Sequence, residues 1–254
     1  SHGIVLGPKY IRTKLSVLVA KIIQMDYPES WNAAFEDIAT MLEKGNTCID
    51  LYLRILIALD QEIFESNTQY WTGKTREELT KNTTVKDTLR KSKSMQNIVS
   101  VWYQILSMFA SDGGNAEAYN LVSLCLESIK CWARWVELNY LVDQRFLQFF
   151  YNAMESSSTY RDDVCDCLHE IIARGLPPGQ KINLIEGMNV IKLLNSRIGI
   201  HYGDSAHSNG ESAEESVTKF SIVGRLVDTC CFELLQARDK MCEFLVHVNI
   251  PENN

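Results

Sequence analysis

Apolar residues recur along this chain with the period of an α-helix. Tyr52, Ile55, Leu56, Leu59 and Ile63 fall at steps of 0, 3, 4, 7 and 11, which places them on one helical face. Leu53 and Ile57 lie elsewhere on the same helix, so it is covered on more than one side. The spacing returns in Ile98, Trp102, Ile105 and Phe109, and in Leu121, Leu124, Cys125, Ser128, Trp132 and Trp135. It continues in Val142, Phe146, Phe149, Phe150 and Ala153, and in Val164, Cys167, Leu168, Ile171 and Ile172. No comparable runs of period two occur, so the pattern predicts an all-α fold.

Stops between the periodic stretches carry helix-ending glycine, proline suited to a helix start, or both. They are Asp26-Tyr27-Pro28, Glu43-Lys44-Gly45-Asn46, Asp112-Gly113-Gly114-Asn115 and Gly175-Leu176-Pro177-Pro178-Gly179. These punctuate the chain into helix pairs at about 9–26 and 28–44, 47–66 and 94–111, 116–135 and 139–155, and 157–174 and 178–195, with a long helix over 214–248. First helices then start 38, 69, 41 and 57 residues apart, and two of these intervals fit a HEAT-type repeat of about 40 residues. Insertions at about 67–93 and 196–213 lengthen the others. The expected architecture is a HEAT-repeat α-solenoid of antiparallel helix hairpins, one segment spanning residues 9–254, with residues 1–8 a cloning remnant or linker.

The two insertions differ in kind. SRIGIHYGDSAHSNGESAEE is rich in Gly, Ser and acid, and it reads as a mobile loop. The first insertion predicts a helix from about Arg76 to Ser92, anchored by Leu79, Val85 and Leu89 and otherwise polar.

Composition adds bounds. The 254 residues are 46% hydrophobic and 22% charged, an ordinary globular balance. No run of about 18 uncharged apolar residues occurs, and the opening SHGIVLGPKY lacks the basic start and apolar core of a secretion signal, so neither membrane insertion nor export is expected. Eight cysteines are too few for a disulfide scaffold, and they fall within helical patterns, as reduced core thiols of a cytosolic or nuclear protein would.

The formal net charge of −7 is unevenly spread. Lys74, Arg76, Lys81, Lys86, Arg90, Lys91 and Lys93 stand against Glu77, Glu78 and Asp87, a local excess of four that leaves −11 for the remainder. Lys86, Arg90 and Lys93 fall at helical steps of 0, 4 and 7, so one face can present three cations to phosphates. A merely solvated helix face has the same pattern. Aromatic residues for base stacking are not evident nearby, which favours backbone and shape recognition over base reading.

Catalytic signatures are sparse. Gly73-Lys74-Thr75 resembles only the end of a phosphate-binding loop, without the upstream glycine or a preceding strand. There is no HExxH and no GxSxG, and His2, His201, His207 and His247 lie near the termini or the Gly/Ser-rich loop. Cys165-x-Cys167-x-His169 offers metal ligands, but structural zinc sites use C-x2-C or C-x4-C pairs with a distant second pair. Cys167 belongs to the core stripe, while Cys165 and His169 lie one turn apart on its flank, where a thiolate–imidazolium contact is the remaining enzymatic option. No cofactor, metal or catalytic residue is assigned.

The stretches KYIRTKLSVLVAKIIQMDYPESWNAAFEDI, CIDLYLRILIALDQEI, NTTVKDTLR, VWYQIL and CDCLHEIIARGLPPGQKINLIEGMNVI, in this order, resemble the tRNA exportins of the karyopherin-β (importin-β) family. The resemblance covers about residues 9–195 and weakens through 196–254. It implies an internal piece, from the N-terminal half, of a non-enzymatic export receptor. Such a receptor binds tRNA together with Ran-GTP, crosses the pore by contacts with nucleoporins, and shuttles between nucleus and cytoplasm. Under that resemblance the candidate tRNA contacts are Lys81, Lys86, Arg90, Lys91 and Lys93, with Arg145, Lys181 and Lys192 as further cations on second helices; no residue is assigned to Ran. The alternative is a helical-repeat transport receptor or adaptor that carries protein cargo.

Overall fold

A computed structural model describes residues 7–64, 75–111, 115–156, 159–190, 192 and 213–248. Every regular element among them is helical, and the fold is all-α with HEAT-like helix pairs. The chain divides into two compact units, residues 1–140 and 141–254.

In the first unit, α1 (Lys9–Asp26) ends where Pro28 forces the preceding Tyr27 into extended backbone, with ψ 137°. The helix expected at 28–44 does not begin there. Ser30 and Trp31 N–H groups turn back to the Asp26 carbonyl at 2.8 and 3.0 Å, and α2 (Ala34–Ala39) starts only afterwards, closing in a 3-10 turn over Thr40–Lys44. Gly45 then adopts φ 109°, open to glycine and strained for other residues, before α3 (Asn46–Leu59).

Helix α3 is apolar almost all round and packs against α1 and against α6 (Ala116–Trp132). Its one buried charge, Asp50, accepts from Arg12 Nε of α1 at 2.7 Å and from Arg54 Nε one turn on at 2.7 Å. Two guanidinium partners therefore offset the cost of burying that carboxylate. A wide π turn, Asp60–Phe64, follows. Helices α4 (Arg76–Lys91) and α5 (Lys93–Phe109) complete the unit, with α5 lying against α6.

The centre of this unit is aromatic. Trp102 and Trp132 are fully buried and meet edge to face, their centroids 5.6 Å apart. Each indole N–H is satisfied: Trp102 donates to Ser128 Oγ at 3.1 Å and Trp132 to the Leu56 carbonyl at 2.9 Å. That second bond ties α6 to α3 across 76 residues of sequence.

The boundary between the units falls in the short helix α7 (Leu138–Leu141). The helix expected at 139–155 is interrupted because Asp143 Oδ1 captures the Arg145 backbone N–H at 2.7 Å and so starts a new helix, α8 (Gln144–Ser156). In the second unit α8 packs on α9 (Arg161–Ile172), with Phe146 and Phe150 fully buried. Helix α10 opens with Pro178 at its first position and ends at Gly187, short of the expected 195, where Asn189 turns left-handed at φ 51°. The long α11 (Ala213–Val248) lies on α9 and α10, burying Leu226, Cys230 and Ala237 at steps of 0, 4 and 11. The Gly/Ser-rich segment 196–212 and residues 67–74 of the first insertion lie outside the described residues.

Candidate nucleic-acid interface

The helix expected within the first insertion is α4, and its start follows from a capping box. Thr75 Oγ1 accepts from the Glu78 N–H at 3.2 Å, while Glu78 Oε2 accepts from the Thr75 N–H at 2.6 Å. Glu77 and Glu78 in the first turn, with Arg90 and Lys91 in the last, suit the helix dipole. Only Asn82, Val85 and Leu89 point inward; Asn82 Oδ1 accepts from Gln24 of α1 at 2.6 Å. The rest of α4 is polar, which leaves its cations on or near the surface.

Their surroundings differ. Lys81 donates to the Met25 carbonyl at the end of α1, so its ammonium is anchored at that helix terminus. Lys86 is half-buried, with Nζ 5.4 Å from the centre of the Trp135 ring, and Arg90 Cζ lies 5.6 Å from the same ring. Burial, followed by the neighbouring Arg90 charge, lowers the Lys86 pKa from the usual lysine value, against the opposing pull of Asp60 and Asp87. Arg90 also donates to the Trp135 carbonyl at 3.1 Å and approaches Asp87 at 3.7 Å.

Lys91 is exposed and borders an open cleft with Thr84, Asp87, Thr88 and Ser92. Lys93 is exposed too, but it does not continue the face of Lys86 and Arg90. Ser92 is extended, with φ −88° and ψ 158°, and Lys93 opens α5, so the steps of 0, 4 and 7 cross a helix break.

The three cations of the second unit have different surroundings. Arg145 is engaged by Asp143 through two side-chain bonds of 3.1 and 3.0 Å, and these bonds hold the Asp143 pKa below its ordinary value. Lys192 is exposed. Lys181 corrects the expectation of a surface cation, because it is 2% exposed. Its ammonium donates to the Ile172 and Arg174 carbonyls, at and just past the end of α9, and pairs with Glu233 of α11 at 2.6 Å, which leaves it facing the interior.

Cys165 and His169 belong to α9. Cys165 is 1% exposed, and burial, with Asp162 adding to it, pushes its thiol up to about 12, so it stays protonated at neutral pH. Among the described residues no group of three or more His, Cys, Asp or Glu side chains is placed to hold a metal ion, and no helix is long and apolar enough to cross a membrane. Trp135 is the functional candidate that sequence reasoning missed. It stands 45 residues from Arg90, inside a periodic stripe that reads as ordinary core.

The family model described as Exportin 1-like protein matches residues 8–168, well over half of the chain. The chain belongs to the exportin 1-like family. Its relatives carry the name exportin-T. The exportin-T of Dictyostelium discoideum is 30% identical over 185 residues, which cover 73% of this chain and 16% of that protein. Human exportin-T is 32% identical over 179 residues, 70% of this chain and 18% of its own length. The exportin-T of Neosartorya fischeri matches more of the chain, 92%, at 22% identity. This exportin-like chain thus spans between about a sixth and a quarter of the length of these relatives. The matched region 8–168 includes α4 and its cations.

Proposed function

We propose that this chain is part of a nuclear export receptor that binds tRNA together with Ran-GTP, passes the nuclear pore through nucleoporins, and shuttles between nucleus and cytoplasm. The observation that carries this reading is the likeness to proteins named exportin-T over 70% or more of the chain. Exposed cations on α4 support it, since a chain of net charge −7 meets a polyanion best where positive charge is locally in excess. The chain then acts as a binding scaffold, and no catalytic step is assigned to it.

Lys86, Arg90, Lys91 and Lys93 are the proposed phosphate contacts. Lys81, Arg145 and Lys192 are secondary ones, because Lys81 is anchored at the end of α1 and Arg145 and Lys192 stand in the other unit, outside the basic run. Recognition of this kind follows backbone and shape, with dispersed cations each contributing a salt-dependent term. Fluorescence anisotropy of labelled tRNA, titrated at several salt concentrations, tests the assignment. The Lys86→Glu/Arg90→Glu variant should bind more weakly, with the slope of log affinity against log salt shallower by about 1.5 if two phosphate contacts are lost. Unchanged affinity at low salt removes α4 from the interface. Cargo binding that survives nuclease and responds little to salt would instead indicate a protein-carrying receptor.

A further inference from the structure

Lys86 and Arg90 are like charges four residues apart on one helix, an arrangement that by itself drives the two side chains apart. Both nevertheless lie over one indole ring, at 5.4 and 5.6 Å from its centre. The ring belongs to Trp135, which is only 5% exposed. It is packed against Phe64, with centroids 4.3 Å apart, and against Trp132 at 4.9 Å. The Trp135 carbonyl accepts the Arg90 guanidinium at 3.1 Å, so one residue engages the arginine through both ring and backbone. Arg90 still exposes 39% of its side chain, which leaves part of the guanidinium open to a ligand.

We infer that Trp135 is a positioning residue for the cationic surface of α4: its rigid ring holds Lys86 and Arg90 side by side, so that two long side chains meet a polyanion already ordered. The inference rests on the proposed reading of α4 as a tRNA surface and adds a residue that carries no charge and touches no RNA. The physical basis is twofold. A ring quadrupole attracts both cations and offsets their mutual repulsion. Side chains that are ordered before binding lose less freedom on contact, and a fixed guanidinium fork keeps its geometry for phosphate oxygens.

The test compares the chain with Trp135→Leu, Trp135→Phe and Lys86→Glu/Arg90→Glu variants, using fluorescein-labelled tRNA at several salt concentrations. Trp135→Leu should weaken binding about three- to tenfold, the scale of one or two cation–ring contacts. Trp135→Phe, which keeps an aromatic ring against Phe64 and Trp132, should fall between wild type and Trp135→Leu and guards against loss of fold in the leucine variant. The salt slope should stay at the wild-type value in both, because no charge is removed, and this separates positioning from loss of a contact. Nuclear magnetic resonance supplies an independent readout: Arg90 Hδ protons shifted upfield by the ring in the wild type, and an Arg90 Nε–H group that becomes more mobile in Trp135→Leu.

If the charge reversal weakens binding and Trp135→Leu does not, the positioning role is overturned while the reading of the surface stands. If the charge reversal changes nothing, the α4 reading falls, and the resonances decide the positioning role separately. Random-coil Arg90 shifts in the wild type would overturn it.

Discussion

Replacing Lys181 by methionine tests the second unit at a charge that is 2% exposed. The ammonium serves three acceptors: the Ile172 carbonyl, the Arg174 carbonyl at 2.5 Å and Glu233 at 2.6 Å. Ile172 closes α9, where helical C=O groups lack intrahelical partners, Arg174 lies two residues past it, and Glu233 belongs to α11, so the side chain joins those elements. Methionine restores the volume but none of the bonds. It leaves Glu233, whose side chain is 17% exposed, facing two carbonyls without its cation. Removing one member of a buried pair costs about 3–5 kcal/mol, and the partial solvation of Glu233 places this one near the lower end, about 3 kcal/mol. With a urea dependence of about 1–3 kcal/mol per molar, the unfolding midpoint should fall by at least about 1 M. Far-UV circular dichroism reads the midpoint, and amide exchange at the end of α9 and along α11 should accelerate. Adding Glu233→Leu should recover part of the loss, because no uncompensated carboxylate remains. A Lys181→Met variant within about 0.5 kcal/mol of the wild type would refute the assignment of this lysine to the interior.

Two further outcomes follow from α4 and from the thiols. Thr75→Ala removes the side-chain half of the capping box and should cost about 1 kcal/mol, visible as faster amide exchange in the first turn of α4; protection equal to the wild type would mean that the box does not hold this helix. Cys231 and Cys242 are exposed and the other six cysteines are buried, so a thiol reagent at pH 8 should modify two sites quickly, and rapid labelling of Cys165, identified by mass spectrometry, would contradict its placement. Burial raises the Cys165 pKa from 9.0 to about 12, so as pH climbs above 9 the unfolded chain releases a proton that the folded chain keeps. Stability should therefore decline with rising pH across the window from about 9 to 12, and a Cys165→Ser variant should show a shallower decline.

Helical periodicity makes α3, α5, α6 and α9 legible, because each has an apolar stripe that must be buried. Differences from the sequence reading arise where one polar side chain or one backbone turn redirects the chain. Asp143 captures a backbone N–H and splits an otherwise periodic stretch. The turn after Pro28 delays α2, and Ser92 divides α4 from α5 just before Lys93. The cations of the candidate interface are visible as a basic run, but the partners of each are not. Lys181 looks like a surface residue because nothing local announces Glu233, 52 residues away. Trp135 looks like core, which it is, and only the packing of α4 brings Lys86 and Arg90 over its ring.

The central claim is that this chain contributes to a surface that binds tRNA together with Ran-GTP, and cooperativity tests it most directly. The measurement is the anisotropy of labelled mature tRNA titrated with the chain, with and without Ran-GTP, at low and moderate salt. Coupling of two ligands is reciprocal, so a genuine shared scaffold must show tighter tRNA binding when Ran-GTP is present. The account predicts salt-sensitive binding that Ran-GTP strengthens. A chain that is folded and helical yet binds tRNA equally weakly with and without Ran-GTP would contradict it.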